Sequence, residues 1–197
     1  MRALIVVDVQ NDFLPGGALP VPRGHEVVEV INALIPGFDV VVATQDWHPE
    51  DHGSFAVHHG RAPGELGELA GLPQILWPTH CVQGSAGAQF APGLRSEAFD
   101  AVFRKGQDAT VDSYSGFFDN ARRRDTGLDS WLRSRGVQEV TLVGLATDYC
   151  VKFTALDASA LGYEVRLVRA ACRGVELSAG DVERALGALS EAGVRVV

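Results

Sequence analysis

Leu4–Val7 is apolar at every position, and five other short stretches are nearly so: Val40–Ala43, Ala101–Phe103, Val140–Val143, Val165–Val168 and Val194–Val197. Apolar runs with little alternation suit strands covered on both faces, as in a parallel sheet. Between several of them the apolar period changes. Val27, Val28, Ile31, Leu34 and Ile35 recur at helical spacing and stop before Pro36-Gly37. Asp129–Arg135 reads as a short helix with Gly136 past its end. Cys150–Leu161 carries Val151, Ala155, Ala158 and Leu161 at helical spacing and stops at Gly162. A last helix runs through Ser190 and ends before Gly193, with Ser178 or Asp181 as its cap. Strands alternating with helices predict a doubly wound α/β fold: one domain over residues 1–197, with a mainly parallel six-stranded sheet.

Residues 46 to about 98 break this rhythm. They are rich in Gly and Pro, show little periodicity, and hold five of the six histidines: His48, His52, His58, His59 and His80. A structureless loop of that length is unusual inside a compact domain, so the excursion is expected to be functional or locally folded. His58 and His59 read as exposed loop residues, and His25 as solvated at the start of the first helix. The run Arg122-Arg123-Arg124 reads as a solvated face.

Composition narrows the function. With 46% hydrophobic and 21% charged residues the chain is ordinary globular protein. Its net charge of −8 and the lack of a basic stripe argue against a nucleic-acid partner. Three cysteines, Cys81, Cys150 and Cys172, make neither a disulfide framework nor a zinc pattern of the CxxC kind. The first apolar run is too short for a signal peptide and no stretch approaches a membrane span, so a cytoplasmic protein with no membrane partner is expected.

Ligands of open α/β sheets bind outside the carboxyl ends of the strands. The first strand ends at Asp8, the third at Lys105, and the fourth leads through LATDYC to Cys150 at a helix start. Taken singly, each has a plain alternative: a turn acid, a solvated amine, a core thiol. Together at one edge, an acid, an amine and a thiol form a nucleophilic set. The helix start and a nearby ammonium are expected to lower the thiol pKa. The carboxylate accepts its proton, and N–H groups near Ala146 and Cys150 suit an oxyanion hole. Asp148 reads as a cap or first-turn residue, Cys172 as packing, and Cys81 stays ambiguous beside His80.

A second set is Asp46 and His48 at the end of the second strand, with His80 far downstream. Two residues apart in extended chain, Asp46 and His48 point to one side. A carboxylate and two imidazoles suit Zn, Fe(II) or Mn, with His52 as a further candidate ligand; a turn with exposed histidines is the alternative. Phe13, Trp77 and Tyr114 are walls for a flat, ring-shaped pocket if the loops converge, and packing residues otherwise.

At these residues the chain resembles a known family. DVQNDF (Asp8–Phe13), DWHP (Asp46–Pro49), HGSFA (His52–Ala56), LWPTHCVQGS (Leu76–Ser85), FRKG, DSYSGFFDN (Asp112–Asn120) and GLATDYCV (Gly144–Val151) are similar to the nicotinamidase/pyrazinamidase branch of the isochorismatase-like cysteine hydrolases. The likeness spans the whole chain in one order of elements. It implies a three-layer α/β/α hydrolase fold and conversion of nicotinamide to nicotinate and ammonia, in NAD salvage, with pyrazinamide as a further substrate. It implies a catalytic triad of Asp8, Lys105 and Cys150, and one divalent metal ion, zinc foremost, on Asp46, His48 and His80. Phe13, Trp77 and Tyr114 match pocket walls; Leu19 and Tyr149 match less strictly fixed pocket positions. Leu145-Ala146 matches the family's cis peptide beside the oxyanion hole of Ala146 and Cys150. The resemblance implies a metal that serves substrate binding more than bond breaking, so Asp46→Ala should chiefly raise KM. Family members differ in oligomeric state, and a homo-oligomer is compatible with the chain.

Other readings remain at this point. Isochorismatase itself shares the fold, but its vinyl-ether hydrolysis needs no cysteine nucleophile. Carbamoylsarcosine- and ureidoacrylate-type amidases share the triad and lack the DWH…H set. A non-catalytic metal-binding α/β module is a different class. Its nucleotide-binding version is weakened because no GxGxxG or GxxxxGK[ST] loop follows any strand. A metal-only hydrolase predicts that Cys150→Ser stays active while chelation inactivates.

Overall fold

The computed structural model describes residues 1–197. The elements in chain order are β1 (Arg2–Val7), α1 (Val27–Leu34), β2 (Val40–Asp46), β3 (Leu66–Leu69), β4 (Leu72–Ile75), β5 (Ala101–Lys105), α2 (Leu128–Ser134), β6 (Glu139–Leu145), α3 (Lys152–Ala160), β7 (Glu164–Arg173), α4 (Asp181–Glu191) and β8 (Arg195–Val196). Six strands form one sheet in the order β5-β2-β1-β6-β7-β8, and every neighbouring pair is parallel. No helix is long and apolar enough to cross a membrane.

The central strands show why their sequences do not alternate. Along β1, Ala3, Ile5 and Val7 enter one core, with α2, α3 and α4. Leu4 and Val6 enter the other, with α1. Successive side chains leave a strand on opposite faces, so a strand with a core on each side must be apolar throughout. Burial differs at the rim: the β5 pattern alternates up to a buried Lys105, as an edge strand allows.

The second core is completed by the excursion, through Cys81, Ala88, Ala91 and Leu94. That segment holds a two-stranded antiparallel hairpin, β3–β4, and a 3-10 turn at Ala56–His59. Isolated bridges tie it down at His48–Val82, Phe55–Trp77 and Gln10–Phe90. The low periodicity therefore reflects a segment anchored bridge by bridge, with little regular structure of its own.

Two local expectations change. Neither Ser178 nor Asp181 caps α4. Its N-cap is Gly180 at φ +86°, and the Asp181 carboxylate accepts the Ser178 N–H from inside the first turn. Cys150 is not at the start of α3. It sits inside a π-type turn, Thr147–Val151, that precedes α3. Such turns recur at functional sites.

Order 5-2-1-6-7-8 reverses direction between β1 and β6. Asp8 follows β1, and the turn carrying Cys150 follows β6, so both open onto this switch point. Asp46 and Lys105 are register partners at the ends of β2 and β5. Parallel pairing alone thus delivers four reactive side chains to one edge of the sheet.

Candidate active site

Asp8, Lys105 and Cys150 lie together and are almost fully buried, at 0%, 2% and 8% exposure. The Lys105 ammonium is their hub. Its Nζ lies 2.9 Å from Asp8 Oδ2 and 2.5 Å from Asp46 Oδ1, donates to the Ser113 carbonyl at 2.8 Å, and reaches Cys150 Sγ at 3.4 Å. Two carboxylates outweigh the burial that would discharge the amine, and its pKa is raised.

Asp8 is held by both oxygens. Its Oδ1 accepts the Thr44 hydroxyl at 2.6 Å. Its Oδ2 is ion-paired with the Lys105 ammonium at 2.9 Å. The backbone there is left-handed, φ +47°, which Asp tolerates better than bulkier residues. Burial pushes the Asp8 carboxyl up to about 6, against the pull of Lys105.

The Lys105 ammonium pulls the Cys150 thiol pKa down as expected, but the net direction is upward. Burial pushes the thiol well above its ordinary value; Lys105 opposes this, and the carboxylates of Asp8 and Asp46 add to it. A buried thiol between two acids stays protonated at neutral pH, so it needs a base within reach. Asp8, Asp46 and Cys150 offer ligand atoms within 4.8 Å of one another. Of the two acids, Asp46 is committed elsewhere: Lys105 and His48 hold it far below the usual carboxylate range despite its burial.

Asp46, His48 and His80 also bring their ligand atoms within 4.8 Å of one another. Asp46 Oδ2 is 3.7 Å from His48 Nε2 and 4.0 Å from His80 Nε2. The Nδ1 atoms are occupied: His48 Nδ1 lies 2.9 Å from the Gly106 carbonyl, His80 Nδ1 2.7 Å from that of Pro78. Donating Nδ1–H to a carbonyl fixes the tautomer that leaves Nε2 free for a metal. Burial, then the neighbouring His48, lowers His80 to about 4, so its ring is neutral as coordination requires. The residues fit a divalent ion. His52 packs against His48, ring centroids 4.3 Å apart, with Nδ1 on the Ser54 hydroxyl and a buried Nε2 without a partner. It groups with His48 and Asp112, not with Asp46 and His80.

Phe13, Leu19, Trp77, Tyr114 and Tyr149 line one pocket with Asp46, His48, His80, Ala146 and Cys150. Trp77 and Tyr149 meet edge to face at 4.9 Å, Tyr114 and Tyr149 at 5.5 Å. Leu145–Ala146 is a cis peptide, and the Ala146 N–H donates to no protein acceptor. His25, His58 and His59 are exposed, as are Arg122, Arg123 and Arg124. Cys172 packs in the first core and Cys81 in the second, where its N–H donates to Asp12.

Several functional positions were missed by reading the chain. Gln10 grips Asp46 by both peptide groups, accepting its N–H and donating to its carbonyl, each at 2.9 Å. It stands inside DVQNDF, where only the acid and the aromatic drew notice. Gly106 has φ +66°, and a Cβ there would lie 2.3 Å from His48 Cε1; its place directly after Lys105 was the available signal. Asp148 does more than open a turn. Its carboxylate accepts the N–H groups of Val175 and Glu176, at 3.0 and 2.7 Å. Val175 and Asp112 line the pocket but sit in loops with no pattern to mark them. Asp46 touches both sets, so its loss strands Lys105 as well as the two histidines, and the expectation of chiefly a KM effect widens to include kcat.

Comparison with known proteins agrees with this geometry. The isochorismatase domain model matches residues 2–197. A nicotinamidase of Escherichia coli (strain K12) is 54% identical over 98% of this chain and 92% of its own length. A nicotinamidase/pyrazinamidase structure from Acinetobacter baumanii superposes with TM-score 0.96 at 44% identity, over 100% of this chain and 95% of that one. A pyrazinamidase of Pyrococcus horikoshii in complex with zinc gives TM-score 0.81 at 40% identity, over 100% and 98%. Matched along its length in sequence and in fold, this chain belongs to the isochorismatase domain family.

Proposed function

We propose that the protein is a metal-containing cysteine amidohydrolase that converts nicotinamide to nicotinate and ammonia, with pyrazinamide as a second substrate. The observation that carries this reading is the buried cluster of an acid, an amine and a thiol, in which the Lys105 ammonium lies 2.9 Å from Asp8 Oδ2 and reaches Cys150 Sγ at 3.4 Å. It is supported by the relatedness to nicotinamidases over the full chain.

The steps follow from the residues. Asp8 Oδ2 takes the Cys150 proton as Sγ attacks the carboxamide carbon. Lys105 stays charged throughout and compensates the negative charge arriving at Asp8 or Sγ. The developing oxyanion is held by the N–H groups of Ala146 and Cys150. Asp8 then gives its proton to the amide nitrogen, the C–N bond breaks, and ammonia leaves a thioester on Cys150. In the second half Asp8 takes a proton from water, the new C–O bond forms, the C–S bond breaks, and Asp8 reprotonates the thiolate.

Asp46, His48 and His80 would hold the metal, with zinc the ion that best suits two imidazoles and a carboxylate and Fe(II) and Mn(II) as competitors. When bound, it supplies a Lewis-acidic anchor for the lone pair of an aromatic ring nitrogen. Phe13, Trp77, Tyr114 and Tyr149 cover the ring, and Leu19 closes the rim.

Ammonia release from nicotinamide by purified, metal-replete protein, before and after a thiol alkylator, tests the proposal. Release that the alkylator abolishes is expected. No release, or release indifferent to alkylation, overturns it.

A further inference from the structure

The β3–β4 hairpin has no part in the main sheet, yet one of its side chains turns inward. Gln74 is 3% exposed, while Leu72 and Pro73 are exposed and Ile75 half-buried. Its amide nitrogen lies 2.7 Å from Asp112 Oδ2, 3.0 Å from the Tyr114 hydroxyl and 2.7 Å from the Ile75 carbonyl. A carboxylate, a phenol and a carbonyl all accept, so it is the NH2 of the amide that faces them. Asp112 and Tyr114 both line the substrate pocket.

The network continues in two directions. Trp77 Nε1 donates to the same Tyr114 hydroxyl at 3.2 Å, so two pocket walls share one anchor with Gln74. Asp112 Oδ1 accepts the Ser113 N–H at 2.8 Å, and the Ser113 carbonyl accepts Lys105. The hairpin is seated to hold this post. Leu69 packs so tightly on Gly53, next to His52, that a Cβ there would lie 2.6 Å from its Cδ1.

We propose that Gln74 is a positioning residue for the substrate pocket, fixing Asp112 and the Tyr114–Trp77 wall at the separation that accepts a flat aromatic amide. This rests on the amidase reading above. The Tyr114 ring is set by Tyr149 and Phe153 at 5.5 and 5.4 Å, its backbone by Asn120, and its hydroxyl end by the hydrogen bonds from Gln74 and Trp77. Without Gln74, Asp112 is a buried carboxylate one donor short and must find another partner, and the wall moves with it. Asp8, Lys105 and Cys150 keep their own mutual contacts, so the effect belongs in KM.

The test uses full-length, metal-loaded protein, with KM and kcat for nicotinamide and thermal melting measured on each variant. Gln74→Met keeps the volume and removes the donors; Gln74→Glu keeps the shape and turns an acceptor toward acceptors. The expected result is a KM raised about tenfold by Gln74→Met with kcat within about twofold, and a larger rise for Gln74→Glu. In a Tyr114→Phe background, which removes the shared hydroxyl, the Gln74→Met effect should shrink to about threefold. If melting shows that Gln74→Met is unfolded, Gln74→Asn, with its amide one methylene short, carries the same comparison. A KM within about twofold of wild type, or an equal effect in the Tyr114→Phe background, overturns the inference. Wild-type protein inactive on nicotinamide overturns the function reading, and this inference with it.

Discussion

Replacing Gly106 with alanine should cripple metal binding although no residue of the proposed metal set is substituted. A Cβ at Gly106 would lie 2.3 Å from Cε1 and 2.5 Å from Nδ1 of His48, where non-bonded carbons want about 3.5–4.0 Å. One side must move by roughly 1 Å, and neither is free to. The Gly106 carbonyl binds His48 Nδ1, and Lys105, next in the chain, is pinned by Asp8, Asp46 and Ser113. The backbone at φ +66° adds about 1–2 kcal/mol for any residue with a Cβ. Loss of a partner that orients a metal-binding imidazole costs about 10–100-fold in metal affinity. Gly93→Ala is the control: φ is +79° there, but nothing lies within 4 Å of the new Cβ. It should lose stability through the backbone alone and bind metal as wild type does. Zinc titration of metal-free protein against a chromophoric chelator measures both variants. Equal zinc affinities for the two would refute the claim that Gly106 holds His48 by close approach.

Other outcomes follow from the same contacts. The kcat/KM for nicotinamide should rise with pH through about 6 and then level, because Asp8 is a base only when ionised and burial has raised its pKa to about 6; an acidic limb centred at an unperturbed carboxylate pKa would contradict this. Asp46→Ala should lose bound metal and lower kcat by about tenfold or more as well as raising KM, since a buried Lys105 loses its 2.5 Å partner; elemental analysis with steady-state kinetics decides, and a pure KM effect would count against the shared role. Asp148→Ala leaves two loop N–H groups without their acceptor and should cost about 1–3 kcal/mol in chemical denaturation, with Asp148→Asn recovering about half; an unchanged midpoint would dismiss the tether.

The parts that could be read from the chain are those with a period or an address. Unalternating runs such as Leu4–Val7 announced strands buried on both faces, and strand ends gave Asp8, Asp46 and Lys105 their common edge. Parallel register then does the rest, without any long-range information. The hairpin was not legible because Leu66–Leu69 and Leu72–Ile75 are mostly exposed and offer no apolar face. The thiol pKa was misjudged for a related reason. A helix start beside Cys150 and an ammonium at another strand end can be inferred from the sequence; burial and a second carboxylate are properties of the folded site. Gln10, Asp112 and Asp148 act through long-range hydrogen bonds, which leave no hydrophobic period along the chain.

The central claim is that Cys150 forms a covalent bond to the substrate and that the metal site serves binding. Ammonia release by folded, zinc-loaded Cys150→Ala protein at saturating nicotinamide tests it most directly. The account predicts no turnover above the uncatalysed rate, with zinc content and melting temperature unchanged. Substantial turnover by that variant would contradict it and move the chemistry to the metal.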